Sequence, residues 1–296
     1  MGLFNKQRRV EIGPQKPVRA AIVYDYDGTL AKGNIQEDSF LPSIQSTPQE
    51  FWSQVKAEKE AQDADEILVY MRLMLRLAKA ANVPVTKSSL RAHGGTSQLF
   101  AGLQGNNNWF SRMNEYAAKQ GLQLEHYIIS SGNQEMIEGS PIANEFKEIF
   151  ACRFEFDAKG QAVGPNLAIN YTTKTQFLFR INKGILNAWD NEGVNAFVAE
   201  ADRPVPFSRM IFIGDGDTDI PAMKMTSHNG GYAIAAYPPE ANRRSLDKIH
   251  RLIADERANF ISAADYRENH DMDIQVKGII GRMARSAGLK LVRDDG

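Results

Sequence analysis

Two short acidic runs are the part of the sequence best suited to chemistry. Asp25-Tyr-Asp27-Gly-Thr29-Leu follows the apolar run Val18-Arg-Ala-Ala-Ile-Val-Tyr24. Asp215-Gly-Asp-Thr-Asp219 follows Arg209-Met-Ile-Phe-Ile213-Gly. Each pattern reads as a buried strand that ends in a polar loop. In open α/β sheets, ligands sit beyond the carboxyl ends of strands. If the two strands are neighbours, several carboxylates converge, and they need a cation or a shared proton to coexist. The ligands on offer are oxygens, and the five histidines show no metal spacing, so Mg²⁺ suits the cluster better than a transition metal.

A calcium loop of the EF-hand kind is excluded. Ile220 stands where that loop needs Gly, and Thr226 where it needs Glu. Asp217 reads as a solvated loop residue. His93-Gly94-Gly95 has no nucleophile elbow to serve, so it reads as a turn.

The elements that must position the acids alternate between strand and helix. Asn108 caps a helix over 109–120, and a strand runs over 122–130. A helix is expected around 141–150, then a hairpin through Cys152–Phe156, Asp157-Ala-Lys-Gly160 and Gln161-Ala-Val163. A helix over 175–191 precedes the second acidic strand. Strands at 231–236 and 257–261 and a helix at 274–287 complete the pattern. This alternation predicts a doubly wound, mainly parallel α/β sheet with helices on both faces. The stretch 32–106 differs: 51–83 is a helical run introduced by Thr47-Pro48 and followed by Pro84, and another helical piece lies near 88–101. The expected layout is therefore a basic arm over 1–17, a core over 18–31 and 107–296, and a helical insertion over 32–106.

Composition sets outer limits. With 35 Lys+Arg against 36 Asp+Glu, the chain lacks the basic excess of a dedicated nucleic-acid binder. Arg243-Arg244 reads as the start of a solvated helix. Cys152 alone cannot form an intramolecular disulfide, which fits a reducing compartment. No apolar run approaches a membrane span, and the first residues lack a signal-peptide core. A cytoplasmic protein is expected.

The acidic runs resemble motifs of the haloacid dehalogenase (HAD) superfamily. Asp25-x-Asp27-Gly-Thr29-Leu is similar to its first motif and Gly214-Asp215-Gly-x-x-Asp219 to its fourth. Tyr127-Ile-Ile-Ser130 resembles the second, and Lys183-Gly-Ile-Leu the third, with Lys174 as the competing lysine and Ser131 as the competing serine. The resemblance implies a Rossmann-like core with a helical C1-type cap at 32–106, as in phosphoserine phosphatase-like members. It implies a phosphatase in which Asp25 is the nucleophile that forms an aspartyl-phosphate and Asp27 the general acid and base. Mg²⁺ would be held by the Asp25 carboxylate, the Asp27 carbonyl, Asp215 and Asp219, while Thr29, Ser130 and Lys183 hold phosphoryl oxygens. The expected substrate is a small phosphorylated metabolite. Phosphoryl transfer to another acceptor, as in phosphomutases, and a phospho-ligand-binding module without turnover remain open alternatives.

Overall fold

The computed structural model describes residues 17–216, 218–241 and 251–289. Residues 1–16 of the expected arm, Asp217 and Arg243-Arg244 lie outside the described residues.

Seven strands form one sheet in the order β4-β3-β2-β1-β5-β6-β7. They are β1 Val18–Tyr24, β2 Leu122–Asn133, β3 Glu148–Phe156, β4 Ala162–Leu167, β5 Met210–Gly214, β6 Tyr232–Tyr237 and β7 Phe260–Ala263. All neighbours pair parallel except β3 with β4, the expected hairpin. β1 is central, and Ala20 to Tyr24 are fully buried. That explains its near-continuous apolar sequence, since a strand covered on both faces has no solvent side to mark with polar residues.

Four helices occupy the stretch between β1 and the first core helix: α1 Phe40–Ser43, α2 Pro48–Gln62, α3 Glu66–Ala80 and α4 Lys87–Gly94. The expected single run over 51–83 is two helices. Asp63 adopts a left-handed backbone (φ 49), and Asp65 restarts the helix by accepting from the Ile67 and Leu68 amides at 2.9 and 3.1 Å. Around the sheet, α5 Trp109–Lys119 packs on β2, and α6 Gln134–Ile137 follows β2 directly. Next come α7 Lys174–Lys183 and α8 Asn191–Asn195. α9 Ile220–His228 packs on β5 and β6, and α10 Asp271–Ser286 on α5 and β7.

Two expectations are corrected. The segment 141–150 is not a helix: a single 3₁₀ turn, Ala143–Glu145, gives way to β3, whose Ile149 and Phe150 align with Ile128 and Ile129. Pairing with β2, which local sequence does not encode, decides the conformation. The helix expected over 175–191 ends at Lys183. Gly184 is left-handed (φ 72), its amide bonds to the Ile181 carbonyl, and the Ile185 amide bonds to the Arg180 carbonyl. That double closure is a Schellman stop.

Candidate active site

The two acidic loops meet because β1 and β5 are adjacent and in register. Tyr24 aligns with Ile213, and the Asp25 amide donates to the Ile213 carbonyl at 2.9 Å. Asp25 and Asp219 are buried, while Asp215 is exposed at the rim. Carboxylate oxygens of all three lie within 4.8 Å of one another. At about 5 Å and an effective dielectric of about 20, each like-charge pair costs about 3 kcal/mol. The local backbone is shaped to permit this crowding. Gly28 has φ +73, and a Cβ there would overlap the Asp215 carboxylate; a Cβ on Gly214 would overlap that of Asp219.

A lysine ammonium answers Asp25 and Asp219. Lys174 is fully buried, with Nζ 2.6 Å from Asp219 Oδ1 and 2.9 Å from Asp25 Oδ1. Burial alone would lower its pKa, but the charges of Asp219 and Asp25 outweigh burial and raise it. Burial, then the Asp25 charge, pushes the Asp219 carboxyl well above the ordinary aspartate range, against the pull of Lys174.

Asp27 sits beside this group in a different setting. Its Oδ1 accepts from the Ile35 amide at 2.8 Å. Burial and then the neighbouring Asp25 raise its pKa well above the usual carboxylate value, with Ile35 and Lys174 opposing. Such a carboxyl is biased towards holding a proton. Gly132 makes room for it: a Cβ there would lie 2.8 Å from Asp27 Oδ2 and 3.2 Å from Ser130 Oγ. Ser130 is thereby placed beside Asp27, fully buried, with Oγ accepting from the Gly132 amide at 3.0 Å. Thr29 is also buried, and its Oγ1 has no hydrogen-bond partner among the described residues.

The two candidate lysines occupy different surroundings. Lys183 Nζ donates to the carbonyls of Val194 and Ala196 at 2.6 and 2.7 Å. The lysine at the aspartates is Lys174, in the first turn of α7, where Lys183 lies in the last. The signal was Gly184, which marks Lys183 as a helix end. Gly132 and Asn170, which builds the turn before Lys174, carried no motif that reasoning on the sequence could weigh. The turn expected at His93-Gly94-Gly95 begins only at Gly95: His93 lies in the last turn of α4 and bonds to Ser39 Oγ at 2.6 Å.

The donor set suits a hard divalent cation. Asp25, Asp215 and Asp219 offer only oxygen, and no imidazole or thiol joins their cluster among the described residues.

Taken together, a doubly wound sheet with acids at the carboxyl ends of its central strands defines an α/β protein with its site at a strand-end crevice. No protein-family model matches the chain. An uncharacterized protein of Borreliella burgdorferi is 24% identical over 229 residues, covering 70% of this chain and 78% of that protein. A HAD family hydrolase from Salmonella enterica serovar Typhi superposes with a TM-score of 0.55 at 15% identity, over 95% of this chain and 74% of that one. A substrate-bound phosphoserine phosphatase complex superposes at 0.52 and 15% identity, over 89% of this chain and 99% of that one. A phospho-aspartyl intermediate analogue of phosphoserine phosphatase gives 0.51 and 15% identity, over 88% and 99%. The chain shares the fold of these three structures.

Proposed function

We propose that the protein is a Mg²⁺-dependent phosphomonoester hydrolase acting on a small phosphorylated metabolite. The observation that carries this reading is a pair of acids in one loop with different surroundings. Asp25 lies against the Lys174 ammonium at 2.9 Å, whereas Asp27 is held towards its protonated form.

Asp25 Oδ attacks phosphorus in line, an Asp25–phosphorus bond forms, and the bond to the leaving oxygen breaks. Asp27 gives its proton to that oxygen, so the product leaves as an alcohol. Asp27, now a carboxylate, takes a proton from water as the water oxygen attacks phosphorus. The aspartyl–phosphorus bond breaks, which releases phosphate and restores Asp25. Lys174, Ser130 and Thr29 hold the phosphoryl oxygens, with Lys174 contributing most because its charge is fixed and dry. Asp25, Asp215, Asp219 and the Asp27 carbonyl are the residues that would hold Mg²⁺, which supplies charge neutralisation on the phosphoryl oxygens. The helices α1–α4 serve as a cap that excludes water and selects the leaving group. Among the described residues, no helix is long and apolar enough to cross a membrane.

Release of inorganic phosphate from p-nitrophenyl phosphate and a phospho-metabolite panel tests the reading. Activity should require Mg²⁺, disappear with EDTA and disappear in Asp25→Asn. Phosphate release indifferent to both treatments would overturn it, and an isomerised sugar phosphate in place of free phosphate would assign the chain to transfer.

A further inference from the structure

The helical insertion reaches down to the loops that carry the site. Asp65, at the head of α3, uses its two oxygens differently. Oδ1 caps α3, while Oδ2 accepts from Asn170 Nδ2 at 2.9 Å, across 105 residues of sequence. Asn170 in turn builds the turn that launches α7. Its Oδ1 accepts from the amides of Thr172 and Thr173 at 3.2 and 3.0 Å. Its own amide donates to Thr173 Oγ1 at 2.7 Å, and its carbonyl accepts from the Lys174 amide at 3.1 Å. An Asn amide can flip, and only one orientation presents oxygen to the turn. The carboxylate of Asp65 selects that orientation, because it can face only the NH₂ side.

A second contact from the same helix reaches the strand that carries Ser130. Tyr70, 2% exposed, donates to the Ser131 carbonyl at 2.6 Å, next to Ser130. Cys152 Sγ donates to the same carbonyl at 3.3 Å, so the peptide after Ser130 is held from two directions. One helix therefore grips the backbone beside both Lys174 and Ser130.

We propose that α3 is the positioning element of the site: Asp65, acting through Asn170, places Lys174, and Tyr70, acting through the Ser131 carbonyl, places Ser130. The consequence for catalysis rests on the hydrolase reading; the positioning itself does not. Neither residue touches the reacting atoms. Both make the insertion a part of the phosphate pocket's framework.

Asp65→Asn isolates the contact, because an amide oxygen still caps α3 while its NH₂ faces the NH₂ of Asn170. The exchange of backbone amides over 170–174, followed by mass spectrometry, should speed up by about tenfold in this variant, as local opening becomes easier. In the active enzyme kcat/KM should fall by about 10²-fold, the scale of an ångström-sized misplacement, with the melting temperature little changed. The double substitution Asp65→Asn with Asn170→Asp reverses donor and acceptor and leaves a carboxylate oxygen facing the turn. It should restore exchange and kcat/KM to within about threefold of wild type. Tyr70→Phe should lower kcat/KM by about tenfold with exchange faster at 131–132, the scale of one lost hydrogen bond. Unchanged exchange over 170–174 in Asp65→Asn, or no recovery in the double variant, would overturn the proposal. Absence of phosphate release by the wild type would overturn the hydrolase reading alone, since the exchange experiment still decides the positioning role.

Discussion

At Tyr24 the central strand carries a neutral polar cluster; one residue later, at Asp25, it carries a charged one. In the first, Trp109 Nε1 donates to the Tyr24 hydroxyl at 2.7 Å, and that hydroxyl pairs with His126 Nδ1 at 3.0 Å. His126 Nε2 meets Asn114 Oδ1 at 3.1 Å. Since the Tyr24 oxygen accepts from the indole, its proton goes to Nδ1, and Nε2–H donates to Asn114. Every donor has an acceptor. In the second cluster Lys174 bonds both Asp25 and Asp219, a third carboxylate, Asp215, lies close by, and burial pushes both Asp27 and Asp219 towards protonation. Adjacent positions of the chain thus lead to a satisfied network in one place and crowded carboxylates in the next. Stability resides in the first and reactivity in the second.

Substitutions should break this contrast in opposite ways. Asp25→Asn removes the proposed nucleophile and should lower phosphate release by roughly 10³-fold or more. It also relieves repulsion, so its melting temperature should equal or exceed that of the wild type; a large fall in stability would mean the charged cluster is part of the structural core. Lys174→Met should lower kcat/KM by roughly 10²-fold, the scale of losing one preorganised charge. Lys183→Met, made in parallel, should keep activity within about threefold, because its ammonium serves carbonyls near α8. Equal losses in the two lysine variants would return the choice between them to open.

What could be read in advance follows from the range of the interactions involved. β1 and β5 were legible because strands buried on both faces spell themselves as apolar runs, and their abrupt ends exposed Asp25, Asp27, Asp215 and Asp219. Ser130 was legible as the first polar residue after such a run, although β2 continues to Asn133. Lys174 was legible only as a competitor of Lys183, because its place depends on Asn170 and on a contact to Asp65 that is 105 residues away in sequence. β3 was misread for the same reason: Ile149 and Phe150 take strand conformation by pairing with β2. The break at Asp63 to Asp65 was local and could have been seen, since an Asp before an apolar helical run is an N-cap signal.

The pH dependence of the two clusters sharpens the comparison further. Asp27 binds its proton more tightly folded than unfolded. Its contribution to stability is fully present below the ordinary value of 3.8 and is lost as pH rises through the folded pKa. In its proposed role as general acid it must also be protonated, so the rate should fall over that same rise. His126 runs the other way. Burial lowers its pKa from 6.5 to about 3, so the folded protein keeps it neutral. Its contribution is fully present above 6.5 and is lost as pH falls towards about 3, at up to about 1.4 kcal/mol per pH unit. Urea titrations of wild type and His126→Gln between pH 7 and 4 should therefore converge as pH falls. Parallel curves would show that the imidazole titrates alike in both states.

The smallest effect belongs to the satisfied end of that network. Trp109→Phe keeps the ring in the core, where it packs edge-on against Tyr266 with centroids 5.2 Å apart, but removes the indole donor. The Tyr24 oxygen then loses one partner and keeps the other, so no buried donor is left unsatisfied. That limits the loss to about 1 kcal/mol, the usual net value of a single hydrogen bond, plus the packing of the smaller ring. Activity should stay within about twofold, because Tyr24 still donates to His126 and the backbone of Asp25 is still fixed by the Ile213 carbonyl. A drop in kcat with stability unchanged would show that the neutral cluster tunes the charged one, and that the division between them at residues 24 and 25 is not energetic.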